Sequence, residues 1–270
     1  SAIIMNRVSV AVIVDHESIC EWQLQSIIES SDLIDIKLIL SCENSPPRQV
    51  KFDNLFYYGF AYIFAQCAER DLVPLPDGWV KPVQFDSEID GMWQSVPDEV
   101  IDLVNTQGVD VIIKFGMGLL RVPCGLGDIP ILSFHHGDPA YYRGRPAVFY
   151  EMLNKESCVG IIVQRLTNIL DSGAVLAFAE AQLVPYSYKK TIINVYTASR
   201  YLLKRAILSQ VSKTVIDIIP TKKLYKLPSN RCVIKLSLKL SIRFVKKILH
   251  ASFYDRCWNV AISSQSIDFF

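Results

Sequence analysis

The sequence predicts an α/β fold, with a doubly wound, mostly parallel sheet followed by a basic helical C-terminal extension. Short apolar runs rich in Val and Ile alternate with helix-like segments, as in parallel sheets with helices on both faces. Half of the 270 residues are apolar and 20% are charged, a composition that can bury a sizeable core. An acidic first part is followed by a basic tail, which predicts one main domain and an appendage.

The elements follow from the hydrophobic period along the chain. Nearly continuous β-branched runs predict buried strands at residues 8–14, 34–40, 110–115, 129–134, 159–165 and 174–179. Longer patterned stretches predict helices at residues 21–30, 55–69, 97–107 and 191–213. Pro97 is typical of a helix start and Gly108 of a helix end, which bounds the third helix.

Charge divides the chain near residue 200. Residues 1–200 hold 15 Lys and Arg against 24 Asp and Glu, whereas residues 201–270 hold 13 against 3. We therefore predict an α/β domain at residues 1–212. Residues 213–270 would form a basic helical extension or a linker toward a further domain, with residues 220–228 as a basic linker. The end at Phe269-Phe270 resembles a truncation, and whether the chain is part of a longer protein stays open.

The tail contains a second pattern. In residues 233–249, basic residues recur at helical spacing and apolar residues populate another face. Such a helix could lie on an anionic membrane as a peripheral contact, dock on an acidic partner domain, or pack back on the acidic first 200 residues.

Cysteine usage and hydropathy predict a cytoplasmic protein. The seven cysteines are an odd number with no Cys-x-x-Cys pair, so neither a disulfide framework nor a metal site is expected. No stretch reaches the roughly 18 consecutive apolar residues of a membrane-spanning helix. The N-terminus lacks the pattern of a secretory signal. We expect a soluble, cytoplasmic protein.

Several enzyme classes lose support from missing motifs. The turn after the first strand, residues 15–18, has neither Gly-x-Gly-x-x-Gly nor a Walker lysine. A dinucleotide dehydrogenase or a P-loop NTPase is therefore disfavoured. There is also no His-Glu-x-x-His and no Gly-x-Ser-x-Gly, so zinc proteases and serine hydrolases have no support.

The candidate site lies within residues 112–179. His135 follows a predicted strand, and Asp171 lies in a Leu-Asp-Ser-Gly turn between two further strands. Because open α/β sheets place their sites at the carboxyl ends of strands, the two side chains could meet over one edge. Taken singly, His135 could be a structural residue and Asp171 an ordinary turn aspartate.

Together, these residues resemble the catalytic half of the 10-formyltetrahydrofolate-dependent formyltransferases, nearest in build to the sugar N-formyltransferases. That family carries an Asn-x-His triplet, an Arg-Gly pair eight residues after the histidine, and a Leu-Asp-x-Gly turn. Here the triplet ends at His135, Arg143 and Gly144 follow at that spacing, and Asp171 lies in the turn. The match covers about residues 105–200. It implies a Rossmann-like fold and 10-formyltetrahydrofolate as the formyl donor.

The resemblance also implies catalytic roles. His135 would stabilise the oxyanion and handle a proton, and Asp171 would accept a proton and orient the histidine. Ser133 occupies the position of the family's asparagine. A serine hydroxyl is shorter than a carboxamide and donates one hydrogen bond, so the triad is either modified or impaired.

Further residues follow from the same resemblance. The folate-binding residues implied by the pocket-lining segment and the Leu-Asp-x-Gly turn are Phe115, Gly116, Met117, Leu119, Leu170 and Gly173. The implied substrate contacts are His136, Asp138 and Arg143, each with a structural alternative as a residue that shapes its loop. The role of Lys114, at a strand end, stays open.

Comparison with the acceptors used in the family reduces the candidates for the amine acceptor. Family members that formylate glycinamide ribonucleotide hold its phosphate on a glycine-rich loop, which residues 15–18 do not resemble. The tail looks too short and too helix-like for the barrel of the enzymes that act on initiator tRNA, so no nucleic acid is expected. An amino sugar, linked to a nucleotide, or a related glycan precursor is the small-molecule acceptor that this leaves, and a homodimer is an open possibility.

A second function class stays open beside the enzyme. The chain could be a catalytically impaired, formyltransferase-like binding or scaffold module in a glycan-assembly protein. The two classes differ at Ser133 and at the folate pocket.

Overall fold

A computed structural model defines the fold and describes residues 7–47 and 50–265, with side chains described through residue 250. The strands are β1 (Val8–Asp15), β2 (Ser18–Cys20), β3 (Ile34–Cys42), β4 (Leu72–Pro74), β5 (Val83–Phe85), β6 (Glu88–Asp90), β7 (Trp93–Ser95), β8 (Val111–Lys114), β9 (Leu119–Leu120), β10 (Ile131–His136), β11 (Arg143–Gly144), β12 (Cys158–Arg165), β13 (Ala174–Gln182) and β14 (Leu224–Tyr225). The helices are α1 (Glu21–Ile28), α2 (Leu55–Phe64), α3 (Asp98–Thr106), α4 (Phe149–Asn154), α5 (Tyr188–Ser199), α6 (Leu202–Val211) and α7 (Asn230–Gln265).

Nine of these strands form the central sheet. Strands β5, β3, β1, β8 and β10 lie side by side and run parallel, and β12 and β13 extend the sheet in antiparallel fashion. Strand β2 turns back from the end of β1 and pairs with β4. The predicted α/β class with a mostly parallel sheet is confirmed.

The two faces of the sheet bury different residues. Val10 and Val12 of β1 belong to the larger core, which also takes in buried residues of α1, α2 and α4–α7. Ala11 and Ile13 point to the opposite face and pack with Val100 of α3. Because successive strand residues alternate between faces, this division also decides which strand-end residues can share a site.

Two predicted helices are shorter than the sequence pattern indicates. The helix expected over residues 191–213 is divided, because α5 ends at Ser199 and α6 begins at Leu202. The Ser199 hydroxyl donates to the Val195 carbonyl, a bond that bends helices. The helix expected over residues 55–69 ends at Phe64, and a side-chain nitrogen of Arg70 donates to the Ala65 carbonyl just past that end.

The basic tail packs on the domain. Val233, Leu236 and Leu240 of α7 are buried in the larger core, as the packing alternative predicts. Lys239 and Arg243 donate to main-chain carbonyls in the last turn of α4, where the helix dipole favours cations. No helix in the described part of the chain is both long and apolar enough to cross a lipid bilayer.

Residues 220–228, predicted as a linker, make strand pairing and hydrogen bonds with the α/β domain. Leu224 and Tyr225 form β14, which pairs in parallel with β11. The Thr221 amide donates to the Pro139 carbonyl, 2.8 Å away. These bonds are long-range, so local sequence pattern carries no sign of them. Residues 266–270 lie outside the described residues.

Packing of α7 on the domain predicts a stability difference between two leucines of that helix. Leu236→Ala should lower the free energy of unfolding by about 2–5 kcal/mol, because it removes a fully buried side chain and leaves a cavity. Leu238 is 60% exposed, so Leu238→Ala should change it by less than about 0.5 kcal/mol. Urea unfolding measures both. Equal losses would contradict this packing.

Candidate active site

Polar side chains gather where β8 and β10 end, on the sheet face that packs α3. Lys114 is the last residue of β8, and Ser133 and His135 lie on β10. Ser133 pairs with Lys114 in register, so their side chains leave the same face. Ile131, two residues before Ser133, is buried in the core under α3. This polar row lies at the carboxyl edge of the sheet, where open α/β sheets place their sites.

His135 and Asp171 meet at this edge. Nδ1 of His135 lies 3.3 Å from Oδ1 of Asp171. Strand β10 carries the histidine, and the turn between β12 and β13 carries the aspartate. Their side chains are only 9% and 11% exposed, so water screens the interaction weakly.

Both ring nitrogens of His135 face acceptors. Nε2 lies 3.0 Å from the Tyr142 carbonyl oxygen. A carbonyl only accepts, so Nε2 carries a proton. Nδ1 faces Oδ1 of the Asp171 carboxyl at 3.3 Å. The imidazole therefore lies between a carbonyl and a carboxyl group, an arrangement that orients the ring.

The Arg-Gly motif positions Asp171. The Gly144 amide donates to Oδ2 of Asp171 at 2.8 Å, which leaves Oδ1 for the histidine. The Arg143 guanidinium donates to the carbonyls of Thr221 and Leu170. Arg143 thus ties the aspartate turn to the tail segment. These contacts are with backbone, which matches the loop-shaping alternative for this residue.

Gly144 must be glycine because the backbone is crowded and has φ of 92°. A Cβ at this position would overlap the carbonyl oxygen of Tyr225, its partner in β14. The ring of Tyr225 stacks on that of Tyr142, with centroids 5.4 Å apart. The loop that carries the Tyr142 carbonyl is therefore packed against β14.

Lys114 belongs to this group of residues. Its Nζ donates to the Gly118 carbonyl at 3.1 Å. Burial lowers the pKa of Lys114 to about 8, although the nearby carboxylates of Asp15 and Asp171 act in the opposite direction. A lysine at the end of an otherwise apolar strand was the signal in the sequence, but only strand register shows that it neighbours Ser133.

Ser133 is buried between two polar neighbours. Its register partners are Lys114 on β8 and Gln164 on β12. Its hydroxyl has a marginal 3.5 Å contact with the Phe134 carbonyl. Gln164, which sequence reasoning missed, accepts a hydrogen bond from the Gly173 amide at 3.1 Å and so anchors the aspartate turn from the sheet.

His136 and Phe115 lie apart from this group. Both belong to the opposite face, since they alternate with His135 and Lys114 along their strands. The His136 ring packs edge-on against Trp22, and its Nε2 lies 3.1 Å from the Ser199 hydroxyl. Burial lowers the pKa of His136 to about 3, so the ring is neutral near pH 7. Phe115 packs against Trp22 as well.

Asp138 shapes the loop after β10. Its Oδ1 accepts from the Ala140 amide at 2.9 Å, and its carbonyl accepts from the amides of Tyr141 and Tyr142. This is an aspartate-stabilised turn. It sets the position of Tyr142, whose carbonyl contacts His135.

The segment after β8 presents backbone to the edge. A Cβ at Gly116 would overlap Asp15, and the Met117 amide donates to Oδ1 of Asp15 at 2.9 Å. The Met117 side chain is buried in the smaller core, and Leu119 lies in β9. Of the predicted folate-binding residues, Leu170 and Gly173 lie in the turn that holds Asp171.

A small cavity lies next to the Arg143-Gly144 motif. Its volume is about 10 Å³, room for about one water molecule, and its lining includes His136, Tyr142 and Tyr225 but neither His135 nor Asp171. In this conformation the Tyr142 loop covers His135.

Solved structures share this fold. Phosphoribosylglycinamide formyltransferase from Anaplasma phagocytophilum superposes with a TM-score of 0.52 at 11% identity, covering 82% of this chain and 98% of that one. Formyltetrahydrofolate deformylase from Burkholderia mallei gives 0.49 at 14% identity, over 83% and 72% of the two chains. A HypX variant from Aquifex aeolicus gives 0.48 at 12% identity over 83% of this chain, which spans 31% of the HypX length.

The predicted resemblance to formyltransferases is confirmed at the level of the fold. No protein-family model and no curated protein sequence matches the chain.

Crowding at Gly144 predicts a stability loss that a matched glycine lacks. Gly144→Ala should destabilise the protein by several kcal/mol, because the added Cβ meets the Tyr225 carbonyl at a positive φ. Gly78 has a similar φ of 88° but open space around it, so Gly78→Ala should cost only about 1 kcal/mol. Thermal unfolding of both variants provides the comparison. A mild effect at Gly144 would contradict the β11–β14 pairing.

Proposed function

We propose that the chain is an N-formyltransferase that moves a formyl group from 10-formyltetrahydrofolate to an amine. The observation that carries the proposal is the His135–Asp171 pair, 3.3 Å apart at the carboxyl edge of a sheet with the formyltransferase fold. The Arg143-Gly144 motif, which holds that aspartate, lies at the family's spacing from His135.

The reaction requires these residues to stabilise negative charge and to accept a proton. Formyl transfer builds negative charge on the formyl oxygen while the amine loses a proton, and the folate supplies the formyl group and receives a proton at N10. Asp171 orients the imidazole and accepts the amine's proton, directly or through His135. His135 donates from Nε2 to the oxygen once the Tyr142 carbonyl releases it.

Lys114 replaces the missing amide donor in this proposal. The family's asparagine position is Ser133, and Lys114 is its register partner on the same face. An ammonium group beside the serine supplies up to three donors and a full positive charge, which favours a developing oxyanion. Ser133 contributes its hydroxyl to the same place.

The donor would lie against the backbone at this edge. We assign it to the turn that contains Leu170 and Gly173 and to the segment from Gly116 to Leu119. Phe115 and Met117 contribute through their backbone, because their side chains are packed in the two cores.

For the acceptor we propose an amino sugar, linked to a nucleotide, or a related glycan precursor. The turn after β1 leads into β2 and not into a helix, so no helix N-terminus is available there to bind a phosphate. This arrangement supports an acceptor other than a simple ribonucleotide. A cytoplasmic location and a homodimer belong to the same proposal. So does residue 212 as the end of the α/β domain, with the basic extension packed on that domain.

Two observations favour a second candidate, the catalytically impaired binding or scaffold module. The Tyr142 carbonyl occupies Nε2 of His135, and Ser133 replaces the asparagine. Such a module would keep the folded pair without turning over substrate.

Replacing either member of the pair should abolish formyl transfer. His135→Ala and Asp171→Asn should each lower kcat by about 10²-fold or more, because each removes proton handling in the transition state. Asp90→Asn, which changes an exposed aspartate paired with Arg121, should leave the rate unchanged. Tetrahydrofolate formation with an amino-sugar nucleotide is the readout, and thermal unfolding checks that all variants fold. Folate binding without turnover would favour the second candidate, and no folate binding would refute the enzyme.

The Lys114 role predicts a pH dependence. Its ammonium is lost as pH rises through about 8, so the rate should fall above that pH. Lys114→Arg keeps the charge and should extend the plateau to higher pH. Lys114→Met should lower the rate by about 10²–10³-fold and remove this limb of the profile. A wild-type profile still flat at pH 10 would argue against the role.

A further inference from the structure

Helix α2 exposes an uncharged apolar face. Its ten residues, 55–64, include no Asp, Glu, Lys or Arg. Only Phe60 of this helix is fully buried. The exposed large residues of α2 and the turn before it are Phe52, Leu55, Phe56, Tyr62, Ile63 and Phe64, with Phe52 81% and Tyr62 74% exposed. An uncharged face of this kind on a protein surface marks an interaction site.

Helix α7 exposes a second apolar stripe, on the side opposite its packed face. Ile234, Leu238, Ile242, Val245 and Leu249 recur at helical spacing and are all about half exposed or more. Leu236 and Leu240 point the other way, into the core.

Basic residues border the α7 stripe. Arg231, Lys235 and Lys239 flank Ile234, Leu238 and Ile242 on the open surface of the helix. Lys246 continues the border two turns after Lys239. Residues 230–250 contain no Asp or Glu. The exposed side of α7 therefore carries an apolar stripe with a row of basic residues beside it.

The two apolar faces begin at one junction. The Asn230 side chain accepts from the Phe56 amide at 2.9 Å and donates to the Phe52 carbonyl at 2.9 Å. The Asn54 side chain donates to the carbonyls of Leu227 and Pro228. The first turns of α2 and α7 are thus held together, so the two apolar faces start from neighbouring points of the fold.

We propose that this surface, made of the α2 face and the α7 stripe, binds an anionic lipid bilayer with α7 lying in the headgroup plane. Interfacial helices present apolar residues flanked by Lys and Arg to anionic lipids. Exposed aromatic side chains, such as those of α2, are favoured at the headgroup level of the bilayer. A second copy of the chain fits less well, because a two-fold contact would place Arg231 and Lys235 against basic residues of the same patch. An acidic protein would match the border but not the uncharged α2 face.

The test is vesicle flotation of the full chain. Vesicles of phosphatidylcholine with phosphatidylserine should carry the protein, and vesicles of phosphatidylcholine alone should carry at least tenfold less. Raising NaCl to about 1 M should weaken binding, since the screening length falls to about 3 Å.

Matched variants distinguish binding through this surface from nonspecific binding through other exposed residues. Leu238→Glu and Ile63→Glu should each reduce binding about tenfold or more, whereas Ile219→Glu, at an 82% exposed isoleucine elsewhere, should not. Arg231→Glu and Lys235→Glu should each weaken binding by at least about fivefold, because each basic residue near an anionic surface contributes that factor. Lys81→Glu, at an exposed lysine in the acidic part of the chain, serves as their control.

Two results would overturn the proposal. One is the absence of flotation with anionic vesicles at low salt by a folded wild-type chain. The other is a concentration-dependent dimer that Leu238→Glu dissociates, which would assign the surface to a second copy. Circular dichroism confirms that each variant is folded.

Discussion

The candidate site depends on how Asp171 is held. Its two carboxyl oxygens have separate tasks: Oδ2 accepts from the Gly144 amide, and Oδ1 faces His135. The turn that carries it is fixed from two further sides, by Arg143 on the Leu170 carbonyl and by Gln164 on the Gly173 amide. A carboxylate restrained in this way keeps its orientation toward the imidazole without solvent to compete for it.

Much of the fold could be predicted because its strands are buried on both faces. Runs such as residues 8–14 are apolar whichever way each side chain points, so pattern alone finds them. The division of the helix over 191–213 could not be predicted, because the Ser199 hydroxyl at that point bonds the Val195 carbonyl and contacts His136 of a strand about 60 residues earlier. Strand β14 was hidden for a similar reason, since its partner lies about 80 residues earlier in the chain.

The site could be predicted in part. His135, Asp171 and Arg143 lie in motifs with characteristic spacing, and the structure brings them together. His136 adjoins His135 in sequence but points to the other side of the sheet, where it packs against Trp22. Strand alternation already implies this separation. The neighbour relation of Lys114 and Ser133 requires the register of β8 and β10, which a single sequence does not contain.

The pairing of β11 with β14 has a consequence for how the chain can be divided. The sequence predicts a domain boundary at residue 212, yet the Arg143 guanidinium donates to the Thr221 carbonyl and Gly144 packs against Tyr225. A fragment that stops at residue 212 would leave the guanidinium without one of its two carbonyl partners and would uncover the Tyr142 ring. The smallest piece that contains a complete site must extend past Tyr225. To keep the core contacts of α7 it must reach Leu240. The tail is thus connected to the aspartate turn through Arg143, whose guanidinium bonds carbonyls in both segments.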